Sequence, residues 1–355
     1  MTNATQSLRE IFEWALKEKA SEVLVSSGLT PKARVGLEWI GRQGEAFSAH
    51  ESKNLALSVL PERDRATLLE EGTATGSASI EGVGAVTYRI LVHKTGVSSE
   101  FRFVSGKIPA LVDLGYPHIL QDLSKKTQGL ILVSGPALSG KSTALWSMLQ
   151  VAAFERSTTV STFEKSIEYF ISGSPSSVRQ FDVSGGSQLN ALFFEERASR
   201  VMAFDLGMNR QVIDTALSES ESGKLVFLVL PGNSVKDVFG AVSALYSSVD
   251  REILFARLAT QIQGGVGLRL SSYSNQIIPS FELLVGTPEV RAAIEKRAWN
   301  QVAEIMKTTG EKTGMRTLNQ SLLQHLLRRK IEMRTAFELS PEPEELDRLL
   351  AKVGI

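Results

Sequence analysis

Gly135, Ser139, Gly140, Lys141, Ser142 and Thr143 close the stretch L-I-L-V-S-G-P-A-L-S-G-K-S-T at 130–143, where an apolar run enters a glycine loop and a helix pattern, Ala144 to Ala153, follows. In such a loop successive backbone N–H groups point into one concavity, and the following helix N-terminus adds positive potential. A lysine placed like Lys141 reaches the terminal phosphates, and a hydroxyl placed like Ser142 ligates Mg²⁺. The chemistry is binding of a nucleoside triphosphate. A glycine turn without a ligand is the bland alternative, and the flanking β run and helix argue against it.

Hydrolysis asks for more: a carboxylate to orient water, an acid behind the metal, and a positive group for charge developing on the phosphoryl. T-F-E-K-S-I-E-Y at 162–169 puts Glu164 just past a β run and Glu168 four residues on. Glu164 is the candidate water-orienting base, against the reading of two solvated acids opening a loop. V-M-A-F-D at 201–205 ends an apolar run in Asp205, a candidate for holding Mg²⁺ through water. Asp also ends strands simply because it favours turns. Arg89 in V-T-Y-R-I and Arg102 in E-F-R-F are candidates for an arginine clamp on a phosphate. Pattern alone favours surface arginines at both positions. The histidines are His50, His93, His118 and His325, so no core strand end carries an imidazole, which argues against a histidine triad or histidine-ligated metal there.

The elements that must position these groups fall into two kinds. Leu8, Ile11, Phe12, Ala15 and Leu16 form an amphipathic helical stripe. Strands are expected at 21–26 and 33–40, helices at 49–60 and 63–71, and three β runs near 75–80, 85–92 and 100–104, giving a small α/β module with an antiparallel sheet. Ser105-Gly-Lys-Ile-Pro109 reads as the way out of it. Strands then alternate with helices, at 130–134, 158–163, 200–204 and 224–230, as in a parallel sheet whose strand ends carry ligands. From about Arg291 the chain reads as helical, with Leu318, Leu322, Leu323, Leu326 and Leu327 as its packing stripe.

The 355 residues, 43% of them apolar, suffice for two domains. Lys plus Arg and Asp plus Glu both total 39, so no global basic field attracts nucleic acid, and no nucleic-acid partner is expected. The absence of cysteine excludes disulfides and thiolate chemistry and suits a reducing compartment. The N-terminal residues are charged where a signal peptide is apolar, and a soluble cytoplasmic protein is expected.

Taken together these segments resemble the type IV pilus retraction ATPases, the PilT group of the type II and type IV secretion ATPase superfamily. The resemblance runs from E-V-L-V-S-S-G-L-T-P-K-A-R-V through F-R-F-V-S-G-K-I-P, the phosphate loop and T-F-E-K-S-I-E-Y to F-E-L-L-V-G-T-P-E-V-R-A-A-I and T-T-G-E-K-T-G-M-R-T-L-N-Q. The last two have no general phosphate-loop role and are the more diagnostic. The resemblance implies an α/β chain with a PAS-like N-terminal domain (1–105), a RecA-like P-loop core (106–290) and a helical C-terminal region (291–355). It also implies ATP bound with Mg²⁺ between the two domains, with Gly135 to Thr143 on the phosphates, Glu164 activating water, and Arg89 and Arg102 approaching the nucleotide. A homo-hexamer, or a mixed ring with a paralogous motor ATPase, is expected, working on the inner-membrane platform of a pilus or secretion apparatus and peripheral to that membrane through protein partners.

Several boxes depart from the family. T-I-E-D-P-I-E is replaced by a version with Lys165 and Ser166 in place of Asp-Pro; G-E-M-R-D by F-D-L-G-M at 204–208; T-L-H-T by V-L-P-G at 229–232; and D-L-H by a stretch containing Val23-Leu24-Val25. The hairpin between Arg89 and Arg102 is shorter. Each lost transition-state contact costs on the order of 10²-fold in rate, while binding relies on the complete loop. The expectation is a divergent motor ATPase with weak or absent hydrolysis. The alternative is a non-catalytic, nucleotide-gated subunit or regulator of a pilus, secretion or gliding apparatus.

Overall fold

Leu8, Ile11, Phe12 and Ala15 are buried along one face of α1 (Asn3–Lys17), as their spacing requires. The structure, a computed structural model, describes residues 3–155, 157–171, 173–183, 198–274 and 276–354. The chain divides into two units. The first holds the described residues to Lys107 together with Lys165–Phe170 and the short stretch from Asp182; the second holds the rest.

In the first unit, β1 (Glu22–Ser26), β2 (Lys32–Val35), β3 (Glu38–Gly41), β4 (Thr73–Ile80), β5 (Gly84–His93) and β6 (Gly96–Phe103) form a sheet in the order β3-β2-β1-β6-β5-β4, every pair antiparallel. Period-two alternation sends Val23, Val25, Val86, Tyr88, Ile90 and Phe101 to one face. There they share a core with α1, α2 (Ala49–Val59) and α3 (Glu62–Glu71). Phe12 meets Phe101 edge-on at 5.1 Å, and the Ser48–Glu51 capping box starts α2. One expected element is corrected here. The single strand over 33–40 is two strands, β2 and β3, because Gly36 takes φ 62° and turns the chain back on itself.

The other face of this sheet is polar. A single row crosses all six strands in register: Trp39, Arg34, Glu22, Arg102, Thr87 and Ser77.

In the second unit β7 (Gly129–Gly135) is buried along its whole length, as a central parallel strand must be. Around it lie β8 (Thr159–Glu164), β9 (Ser177–Asp182), β10 (Val201–Asp205), β11 (Leu225–Pro231), β12 (Ile262–Tyr273) and β13 (Gln276–Val285), in the order β13-β12-β7-β11-β10-β8-β9. Strands β12, β7, β11, β10 and β8 run parallel, so their C-terminal ends share one edge. The strands expected at 130–134, 158–163, 200–204 and 224–230 are parallel as read; β12 and β13, which form a long antiparallel pair, were not foreseen. Their run of glycines and apolar residues has neither a clean period of two nor one of 3.6, and β9 was missed for a similar reason, being short and half-polar.

Helices α4 (Ile119–Ser124), α5 (Lys141–Glu155), α6 (Arg210–Glu221), α7 (Val235–Ala244), α8 (Ser248–Gln261), α9 (Pro288–Glu295) and α10 (Trp299–Thr313) accompany this sheet in chain order. The last helices, α11 (Leu318–Leu327), α12 (Met333–Leu339) and α13 (Pro343–Lys352), bury Leu318, Leu322, Ala336, Leu346 and Leu350 against Ile278 of β13. Among the described residues no helix is long and apolar enough to cross a membrane.

Candidate nucleotide site

The loop leaving β7 is shaped by close approach. A Cβ on Gly135 would collide with the Ser139 hydroxyl and stand 2.8 Å from the Leu268 carbonyl oxygen, so only glycine fits. Leu138 (φ 62°) and Gly140 (φ 84°) are left-handed, and Leu138 pays that strain on an exposed turn. Lys141 and Ser142 open α5, where the helix N-terminus adds positive potential. Lys141 Nζ donates to the Pro136 carbonyl at 2.5 Å. Ser139 Oγ is buried and, among the described residues, has no hydrogen-bond partner, an unsatisfied donor inside the loop. The constricted backbone, the buried orphan hydroxyl and the ammonium held over the loop fit a phosphate group. Thr143 follows on α5, half-buried.

Two acids flank the loop at the same sheet edge. Ser142 Oγ donates to Asp205 Oδ2 at 3.2 Å. Asp205 lies opposite Glu164 in the parallel register of β10 and β8. Glu164 is 1% exposed. Its Oε2 accepts from Trp146 Nε1 at 2.9 Å and its Oε1 from Thr162 Oγ1 at 2.7 Å. Sequence reasoning missed Trp146, whose only signal was a tryptophan on the helix that follows the loop.

The end of β11 completes the edge. Pro231 is in register with Gly135 and brings no side-chain donor. Beyond it Arg269 donates to the Asn233 carbonyl, and Ser234 caps α7 by accepting from Asp237 N at 3.0 Å. Burial pulls the Arg269 guanidinium below its ordinary pKa, partly countered by the charge of Glu282. Glu282, buried on β13, accepts from the Val235 backbone N–H. Burial pushes its pKa up to about 7, against that hydrogen bond. The sequence signal for Glu282 was an acid within the apolar run F-E-L-L-V.

The two arginine candidates belong to the first unit. Arg89 is exposed on β5, opposite Glu100. Arg102 is engaged: it bonds Glu22 at 2.5 Å and pairs with Glu168, while Arg34 holds the other Glu22 oxygen at 2.7 Å. Burial opposes the Arg102 charge, but Glu168 and Glu22 outweigh it and hold the guanidinium above its ordinary pKa. The segment carrying Glu168 is also tied through its backbone, with Ser105 N donating to Glu168 O at 2.9 Å and Phe170 N to Ser105 O at 3.1 Å. Ser166 Oγ reaches Thr87 Oγ1 at 3.1 Å. The structure thus brings Gly135, Ser139, Gly140, Lys141, Ser142, Thr143, Glu164 and Asp205 together at one sheet edge of the second unit.

The profile of the family described as "Type II/IV secretion system protein" matches residues 113–192. The type IV pilus retraction ATPase PilT of Pseudomonas aeruginosa is 24% identical over 345 residues, covering 95% of this chain and 99% of that protein. A twitching motility protein of Neisseria gonorrhoeae is 25% identical, covering 78% of this chain and 75% of its own length. Among solved structures, the pilus retraction motor PilT with bound ADP superposes with a TM-score of 0.83 at 28% identity, covering 96% of this chain and 98% of that one. The ATPase DotB of Yersinia pseudotuberculosis, at 17% identity and a TM-score of 0.78 over 96% and 94% of the two chains, shares the fold.

Proposed function

We propose that this chain, which is similar to PilT and to the type II/IV secretion proteins, is a motor subunit of a type IV pilus or secretion system that binds MgATP and hydrolyses it slowly or not at all. The observation that carries the binding half is the loop with its buried orphan Ser139 hydroxyl, beside Ser142 and Asp205. Gly135 to Thr143 hold the phosphates, with Lys141 on the terminal ones; Ser142 ligates Mg²⁺ and Asp205 holds it through water. The bound ion would neutralise charge between phosphates. Glu164 orients the attacking water. Arg89 and Arg102 are assigned to the nucleotide by the family resemblance alone; within its own unit Arg102 is paired with Glu22 and Glu168.

What supports slow turnover is the edge around the loop. Pro231 offers no donor where the family has its histidine, and the magnesium box is reduced to Asp205. Each contact missing in the transition state costs on the order of 10²-fold in rate. The experiment is titration of a fluorescent ATP analogue with Mg²⁺ into wild type and Lys141→Ala, with phosphate release read on the same samples. Saturable binding lost in Lys141→Ala, with release at or near background, supports the reading. Vigorous Lys141-dependent release overturns its slow half, and absence of binding overturns the whole.

The anchoring of 165–170 in the first unit, directly after Glu164, favours a second reading, in which nucleotide occupancy sets conformation without turnover. Loss of motility or export in Lys141→Ala but not in Glu164→Gln selects it. Assembly as a homo-hexamer or a mixed ring on a membrane platform is part of the same proposal, and light scattering with and without MgATP tests the ring.

A further inference from the structure

A cavity of about 190 Å³ lies in the second unit at the start of α7, walled by α10, the start of α11 and the turn that leads into α13. None of its lining residues belongs to the phosphate loop or to the acids ending β8 and β10. A cavity of about 150 Å³ is enough for benzene, so this one takes a molecule of about six non-hydrogen atoms. Val302, Met306 and Leu318, all buried, give it an apolar side. Its walls are tied in place by Asn319, also buried. Asn319 Nδ2 donates to Glu342 O and to Glu345 Oε2, both at 2.9 Å, and Ser340 Oγ donates to Asn319 Oδ1 at 2.7 Å.

Glu282 lines this space and is only 7% exposed. Its Oε1 accepts from the Val235 N–H, whereas Oε2 has no hydrogen-bond partner among the described residues. Neither protonation state satisfies the group: as an acid its hydroxyl lacks an acceptor, and as a carboxylate its charge lacks a contacting cation. The cations around it are engaged elsewhere. Lys236 of α7 pairs with Glu342 at 3.0 Å, Lys307 of α10 with Glu345 at 2.8 Å, and Arg269 of β12 donates to the Asn233 and Leu268 carbonyls. Asp237 of α7 adds negative charge beside it.

We propose that this cavity binds a small aliphatic amine, with its ammonium on the Glu282 carboxylate and its alkyl chain along Val302, Met306 and Leu318. The lining selects that class. A buried carboxylate repels an anion, and a neutral ligand leaves its charge unmet. Among the described residues no three acidic or histidine groups stand together to hold a metal ion. The hydroxyls of Ser234 and Thr317, which also line the space and each accept one helix-cap N–H, keep a lone pair for the other ammonium protons. The site stands independently of the nucleotide reading.

The probe is n-butylamine, titrated into the full chain in parallel with 1-butanol. The readout is the Met306 methyl resonance, assigned by its loss in Met306→Leu. An amine of about five non-hydrogen atoms is expected to bind in the millimolar range. The expected result is a saturable shift of the Met306 signal with the amine and none with the alcohol, about tenfold weaker in Glu282→Gln. The amine stays charged while Glu282, with its pKa raised by burial to about 7, ionises, so wild-type affinity should rise about tenfold from about pH 6 to about pH 8. Equal affinity in wild type and Glu282→Gln, or an equal response to the alcohol, overturns the proposal. So does a Met306 signal indifferent to the amine up to about 100 mM, which leaves the cavity to water. Should Glu282→Gln not fold, Ala303→Phe fills the space from α10 with Glu282 intact: loss of the amine shift there upholds the site, and an unchanged affinity overturns it.

Discussion

Asp205 stands directly opposite Glu164 across the parallel pair β10 and β8, yet the two acids are held by different donors: Asp205 accepts from Ser142, Glu164 from Trp146 and Thr162. On the proposed reading Asp205 serves the metal and Glu164 the water, so the two substitutions should separate. Asp205→Asn is expected to weaken binding of the Mg²⁺ complex about tenfold, with little change for the metal-free nucleotide. Glu164→Gln is expected to bind the Mg²⁺ complex as wild type does. Titrations with Mg²⁺ and with EDTA check both.

Ser139 gives a second separable effect. Its buried hydroxyl lacks a partner in the loop, and an unmade buried hydrogen bond costs about 1–3 kcal/mol. Ser139→Ala is therefore expected to keep or raise the melting temperature without nucleotide. In the same variant the rise on adding MgATP should shrink, because the hydroxyl is then missing when phosphate arrives. Melting curves with and without nucleotide read both numbers.

Glu282 makes stability depend on pH. Its pKa in the fold is about 7, raised from 4.5 by burial first, with the Val235 N–H opposing. The neutral form is the one the fold prefers, so its contribution is full below about pH 4.5 and is lost as pH rises through about 7. Glu282→Gln removes the charge at similar shape. Its melting temperature should match wild type near pH 5 and exceed it at pH 8, where the shift amounts to about 3 kcal/mol. Asp237 adds to the shift, whereas Arg269 and Lys236 reduce it.

Arg102 is the hub of the polar row on the first unit's sheet, between Glu22 and Glu168. Arg102→Gln leaves two half-buried carboxylates short of a counter-charge, although Arg34 still holds Glu22. A loss of about 1–2 kcal/mol is expected, smaller in 0.5 M salt than at low salt because exposed parts of the cluster are screened. Denaturant melts at two ionic strengths measure it.

Much was legible in the chain alone. The α1 stripe, the β7–loop–α5 passage and the acids ending β8 and β10 follow from local periodicity and turn chemistry, which need only near neighbours in sequence. The break at Gly36 was not legible, because a glycine within an apolar–polar alternation does not announce whether it turns. Nor was the β12–β13 pair, whose run of glycines and apolar residues keeps neither period cleanly. Which donor meets which acid was decided only in three dimensions. Trp146 reaches Glu164, and Ser142 reaches Asp205, because α5 lies across two strands that are 37 or more residues apart from one another in sequence. The Glu282–Val235 bond likewise joins residues 47 positions apart. Sequence fixes what a segment prefers by itself; pairing between distant segments depends on strand order and helix crossing, and those are set by burial of the whole core.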